Sequence, residues 1–436
     1  MEPLFLAVVC GCNAGLCHAA LNEVYIPRIQ RGNANFAANS LGARGALLSV
    51  LGHFFKNGHW GSWAETDTEE QSLSEEDQLF ILMQAGQYLS ATRGFTAPEA
   101  QKCYERVAAL CHSLNRFRPL YVALVGQWRN SLMTEKLTAT MQIAKRVYSL
   151  AQEQNDAALM IGAHRSLAVT FYFLGDFESS RQHAMLGTQI WRSKGIQSPV
   201  EEPITPAVTC RCHQALAEWH LGETASCQAT MEDAITLAKE VNDMHALAQA
   251  LWYVAVLAHY ERNLAEVQRH SSDLIELSSR HNFATWLAHA HVLRSWVRSV
   301  HGDTAEGFSW IENGLKDTRA TGVMLTVPFL LALKAEALHL AGRSAEALEA
   351  IREADAVVQR LENRYWSAEL HRLRGVFLTA MGADETQIQA SFSAAISTAR
   401  EQKSISLEKR AEATYAEYRR QKASGSGERG FRLPIC

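Results

Sequence analysis

The chain has 436 residues, 47% of them apolar and 20% charged, with a formal net charge of −4. Those totals describe a well-cored protein and give no electrostatic footprint for DNA or RNA. No uninterrupted run of 18 apolar residues occurs, so no transmembrane helix and no membrane partner is expected. Nine cysteines without framework spacing suit buried thiols in a reducing cytoplasm.

In chain order, residues 1–20 (MEPLFLAVVCGCNAGLCHAA) make an atypical opening segment. Glu2 stands where an export signal would carry a basic residue, and the apolar run from Leu4 to Cys10 is short, which favours a buried first helix over a leader. Residues 21–90 read as an N-terminal helical region. Within it the acidic connector at 66–78 ends in Ser74-x-x-Asp77, the pattern of a helix cap. From 91 to 420 the chain repeats itself. Turn signals fall at Gly94, near Thr134, and at Gly175, Gly222, Asn263, Gly302, Gly342 and Gly382, about 40 residues apart except before Gly222. Halfway between them lie second breaks, at Asn155-Asp156, Asn242-Asp243, His281-Asn282, Thr321-Gly322 and Asn363. Each interval therefore holds two antiparallel helices. The one long gap contains the insertion at 193–206, where Pro199, Pro203 and Pro206 predict a surface loop. Residues 421–436 read as a flexible tail.

Aligning the repeats on their turns exposes a packing code. Seven residues before the turn stand Ala168, Ala215, Val256, Ser295, Ala335 and Gly375, mostly small. Nine residues after it come Ala184, Met231, Ser272, Ile311 and Ile351; twelve after it come Gly187, Ala234, Ile275, Gly314 and Ala354. Small, turn, apolar, small is the order of the tetratricopeptide repeat (TPR), here with a period longer than its 34 residues. The predicted fold is all-α, a solenoid of antiparallel helix pairs that buries one continuous core and leaves a concave groove.

The stretches QAGQYLSATRGFTAPEAQKCYERVAALC (84–111), FATWLAHAHVLRSWVRSVHGDTAEGFSWIENGL (283–315), PFLLALKAEALHLAGRSAEALEAI (328–351) and AELHRLRGVFL (368–378) point to a family. They resemble the TPR-rich carboxy-terminal region of bacterial adenylate/guanylate cyclase-like signalling ATPases and related transcriptional regulators. The likeness spans residues 21–420 and implies a right-handed superhelix with a sensor or partner-binding role. The phosphate loop and the cyclase core of such proteins have no counterpart in the sequence, so no catalytic residue, cofactor or metal is carried over. The expected function is a non-catalytic interaction scaffold or ligand sensor of a cytoplasmic signalling protein. The alternative is a detached part of a cyclase-like ATPase.

Candidate sites are few. Gly175-Asp176, with helix on both sides and equivalents every 40 residues, reads as a bend capped by its Asp and not as a phosphate loop. Cys210 and His213 share a helix face but lack a second ligand pair. His220, His259, His301 and His339 read as helix-end residues, and His289 and His291 point to different faces. Trp252, Trp286, Trp296, Trp310 and Trp366 have core spacing. The sharper feature lies eight residues before the turn, where three successive repeats carry Arg294, Lys334 and Arg374. None has a carboxylate three or four residues away. Stacked repeats would align them into a basic ladder, paired across helices to acids such as Asp273, Glu312 or Asp355, or gripping an acidic peptide or small anionic ligand.

Overall fold

A computed structural model describes residues 1–424 apart from 33–35, 40–42, 59, 61, 65, 67, 69–70, 95, 195–201 and 203. The protein is all-α; among the described residues the β structure is a single bridge, Phe55 to Trp63. The chain divides into two compact units, residues 1–130 with 201–203, and 131–200 with 204–436. The boundary expected near residue 90 falls at the end of a helix inside the first unit.

The first unit opens with α1 (Glu2–Asn13), α2 (Cys17–Ala19) and a wide π-type helix, Ala20–Gln30, with Pro27 inside it. Then come α3 (Phe36–Asn39), α4 (Arg44–Gly52), α5 (Glu75–Arg93) and α6 (Pro98–Leu114), while α7 (Phe117–Thr134) crosses the boundary. Leu21, Tyr25, Ile29, Leu47, Leu51, Phe54, Leu79 and Leu82 form its core. Ser74 and Asp77 make the capping box: the Ser74 hydroxyl accepts from Asp77 N at 3.1 Å, and Asp77 accepts from Ser74 N at 3.1 Å. The loop expected at 193–206 lies largely outside the described residues. On its far side Pro206 opens the next helix, and the carboxylate of Asp243 accepts from Thr205 N at 2.9 Å.

The second unit is a TPR-like helical-repeat solenoid. Its inner helices are α9 (Ala157–Leu174), α11 (Pro206–His220), α13 (Met244–Tyr260), α15 (Ala284–Val300), α17 (Val327–Leu340) and α19 (Ser367–Ala380). Each is followed by an antiparallel outer helix: α10 (Phe177–Lys194), α12 (Thr224–Glu240), α14 (Leu264–His281), α16 (Thr304–Ala320), α18 (Ser344–Leu361) and α20 (Glu385–Glu401). α8 (Leu137–Gln154) precedes them and α21 (Ile405–Ala423) follows. The inner helices are buried over most of their surface, α11 at every position. The outer helices bury one stripe, as in α18 with Ala347, Ile351, Ala354, Val357 and Leu361. α9 is long and apolar enough to span a membrane, with a mean hydropathy of 1.3, but 72% of it is buried.

The turns explain the period. Gly175, Gly222, Gly302, Gly342 and Gly382 all have positive φ, from 64° to 97°, a region where a side chain is strained. Asp176 accepts from Ser179 N at 3.0 Å and so caps α10. In the remaining repeat the left-handed residue is Arg262, at φ 59°, and not Asn263. The repeat register there moves by one residue. Ala255, Ser271 and Leu274 are fully buried at the code positions, whereas Ser272 and Ile275 are half-exposed. The intervals from Gly222 through Arg262 to Gly382 are then 40 each. At the second breaks the left-handed residues are Asn155, Asn242, Asn282, Gly322 and Glu362.

Later repeats fold back onto earlier ones. Arg364 N donates to Phe173 O at 2.8 Å, Met324 N to Met133 O at 3.0 Å, and Thr138 N to the Glu362 carboxylate at 3.1 Å. The start of α21 lies across the ends of α11 and α13. Ser404 Oγ meets His220 Nδ1 at 2.9 Å, Ser406 Oγ donates to Trp219 O and Arg410 donates to Tyr260 O. Side chains fill the centre that sequence reasoning left as a groove. Tyr172, Tyr260, Phe329 and Trp366 are buried there, with Tyr260 and Trp366 stacked at 4.5 Å.

Candidate functional site

The three cations of the ladder have different fates. Lys334 Nζ lies 2.6 Å from Glu312 on the outer helix before it. Arg374 pairs with Asp355 in the same way. Arg294 is exposed, and among the described residues no ion pair reaches it. The reason is in the register: the acid stands 22 residues before Lys334 and 19 before Arg374, and those offsets from Arg294 hold Ser272 and Ile275.

Beside Arg294, His291 packs its ring on Trp310 with centroids 5.2 Å apart. Trp310 is 42% exposed, which corrects its expected place in the core. Its neighbour Ile311 takes the inward position nine residues after Gly302, and the helical step of roughly 100° turns Trp310 outward. Trp252, Trp286, Trp296 and Trp366 are buried as their spacing predicted.

The histidines also sort by helix. His220 and His259 stand in the last turns of α11 and α13, as expected of helix-end residues, and both are fully buried in the centre. His220 stacks on Phe177 at 3.7 Å. Burial pushes both imidazoles well below their usual range, so they are neutral. Cys210 and His213 are buried as well, and His213 Nδ1 bonds to Thr209 O at 3.0 Å. His289 is buried while His291 is half-buried against Trp310 of α16.

Sequence reasoning missed a cluster of five charged side chains. Arg262, Glu336, Glu369, Arg372 and Arg410 come from four places in the chain, the turn before α14 and helices α17, α19 and α21, and meet in the centre of the second unit. Glu336 accepts from Arg262 at 2.7 and 3.1 Å and from Trp296 Nε1 at 3.0 Å. Glu369 accepts from Arg372 at 2.8 and 2.9 Å, from Arg262 at 3.0 Å and from Arg410 at 3.4 Å. Both carboxylate side chains are 1% exposed. Burial alone would raise the Glu369 pKa, but Arg372, Arg410 and Arg262 together hold it well below the usual carboxylate range. The one local signal was Arg262 itself, standing where every neighbouring repeat has glycine. Its side chain is aimed inward by that left-handed turn.

Such an assembly can hold the repeats in register and can receive a charged group; it has no nucleophile beside a base. Among the described residues no three His, Cys, Asp or Glu side chains converge as a metal site. No family model matches the chain. It is 24% identical over 358 residues to an uncharacterized protein of Rhizobium meliloti (strain 1021), an alignment covering 80% of this chain and 34% of that protein. The chain thus spans about a third of the length of the curated relative it matches. A structural neighbour is a Rap protein complexed with competence and sporulation factor, with a TM-score of 0.50 and 11% identity, covering 91% of this chain and 100% of that one. A signal-transduction ATPase with a TPR sensor, from Pyrococcus horikoshii, superposes at 0.44 with 8% identity, covering 76% of this chain and 52% of that one. The chain is similar to TPR-like helical-repeat proteins, and that likeness is one of fold.

Proposed function

We propose that the chain is the non-catalytic, partner- or ligand-binding repeat region of a larger bacterial signalling protein. The observation that carries this reading is the division of labour between helices. Most of each inner helix is consumed in closing the array, and solvent reaches the outer helices and a few inner-helix positions such as Arg294 of α15. A curated relative of which the match covers only 34% supports membership of a larger chain. The cyclase-like ATPase parentage implied by the quoted motifs belongs to the same proposal, as does a cytoplasmic setting.

Arg294, exposed on the inner helix α15, is the cation left to meet an acidic partner, with Trp310 of the outer helix α16 beside the His291 ring as an apolar anchor. Lys334 and Arg374 already hold carboxylates, so the ladder narrows to one rung. Purified chain should capture a partner identified by mass spectrometry. Arg294→Glu and Trp310→Ala should each weaken that capture without lowering the melting temperature. Undiminished capture by both variants would remove this surface from the proposal. Turnover of ATP by the purified chain would overturn its non-catalytic part.

A further inference from the structure

Among the described residues the charges of the central cluster do not balance. Three guanidinium groups meet two carboxylates, and His259, pushed toward its neutral form by burial and by Arg262 and Arg410, adds no charge. Glu336 is taken up by Arg262 and Trp296, and Glu369 is shared among all three arginines. Arg410 is the least well served. Its contact with Glu369 is the longest of the set, at 3.4 Å. Its other partners are dipoles: the Tyr260 carbonyl at the end of α13, and the face of Trp219 at 5.3 Å. Burial pushes the Arg410 guanidinium down to about 10, offset in part by Glu369. A buried positive charge in excess is costly, and a protein interior holds one where something meets it.

The two arginines that solvent reaches are the two at the edge of the cluster. The side chains of Arg410 and Arg262 are 18% and 12% exposed, against 1–2% for Glu336, Glu369 and Arg372. We propose that the cluster is an oxyanion site, which takes one carboxylate or phosphate group of a ligand against Arg410 and Arg262. The planar fork of guanidinium matches both groups, and the buried carboxylates behind it fix the orientation of the fork. The proposal deepens the sensor reading and rests on it. It moves ligand recognition from an open groove to an edge of the filled centre, with α21 supplying a ligand contact as well as closing the array.

The test is thermal unfolding of the full chain in sodium phosphate and in sodium acetate, each against sodium chloride at equal ionic strength. Intrinsic tryptophan fluorescence is read in parallel, because one of its ten sources, the Trp296 indole, bonds to Glu336. The expected result is a saturable rise in melting temperature with oxyanion, with the half-saturation point weakened roughly tenfold or more in Arg410→Met. In chloride alone, Arg410→Met should melt no lower than the unaltered chain, because the excess charge has gone. Arg294→Met should keep the full response. Saturation by phosphate but not acetate would assign a phosphate ligand, and by acetate but not phosphate a carboxylate; either supports the site. An identical response in Arg410→Met, a response that never saturates, or a collapse of Arg410→Met in chloride would overturn it. Failure here leaves partner capture through Arg294 untouched, and loss of that capture leaves the anion response untouched, so the two readings fail separately.

Discussion

The inner and outer helices of the second unit are built from the same repeat, yet they obey different rules. An inner helix such as α11 has no solvent face, so its polar groups must find partners inside. An outer helix such as α18 needs only one apolar stripe and can spend its remaining surface on charge. The inner ring therefore stores the molecule's electrostatic cost, and the outer ring its chemical variety.

Acidification should break that contrast most severely. His213, buried on α11, is pushed down to about 4, and His289, buried on α15, to about 3, both by burial. Their folded pKa values lie below the unfolded value near 6.5, so the unfolded chain takes up protons first. The stability they contribute is whole above about pH 6.5 and falls as pH drops toward 4, by about 1.4 kcal/mol per pH unit for each group. Urea midpoints measured from pH 7.5 to 4.5 should fall steeply, and His289→Gln should flatten the slope. A flat profile would mean that the inner histidines are not held neutral.

The next effect is local. Glu369→Ala removes the acceptor shared by three arginines and should cost about 3–5 kcal/mol in urea unfolding. The interface between the two rings gives a smaller loss. A methyl group on Gly314 would stand 2.5 Å from Val292 Cγ2 and 2.9 Å from Ala288 O, so Gly314→Ala must push α16 off α15. The expected cost is about 1–3 kcal/mol. Smallest of all is the outer surface: Arg352 pairs with Glu349 in solvent, and Arg352→Ala should leave the unfolding midpoint unmoved. A loss there as large as at Glu369 would erase the distinction between the rings.

Much of the fold was legible because helical packing writes itself locally. The forty-residue period, the turn glycines and the Ser74–Asp77 cap each depend on residues near one another in the chain. The filled centre was not legible, because its contacts join residues far apart. Arg262 reaches Glu336 and Glu369, and Arg410 reaches Tyr260, with no periodicity linking them. The same limit hid Trp310, whose spacing suits a core but whose turn register carries it outward. Of the ladder, the sequence shows the three cations. It also holds the acids for Lys334 and Arg374, but which cation lacks one depends on how neighbouring helices stack.

The back-folding has a consequence in time. The backbone carbonyl of Phe173 waits for Arg364, and the end of α13 at Tyr260 waits for Arg410. At a synthesis rate of about 5–20 residues per second, the interval between Phe173 and Arg364 is roughly ten to forty seconds. During it the nascent inner helices expose apolar faces that the finished molecule covers. Chaperone demand should therefore peak while the later repeats are still being translated, and a ribosome stalled before residue 364 should hold a sticky, half-closed array.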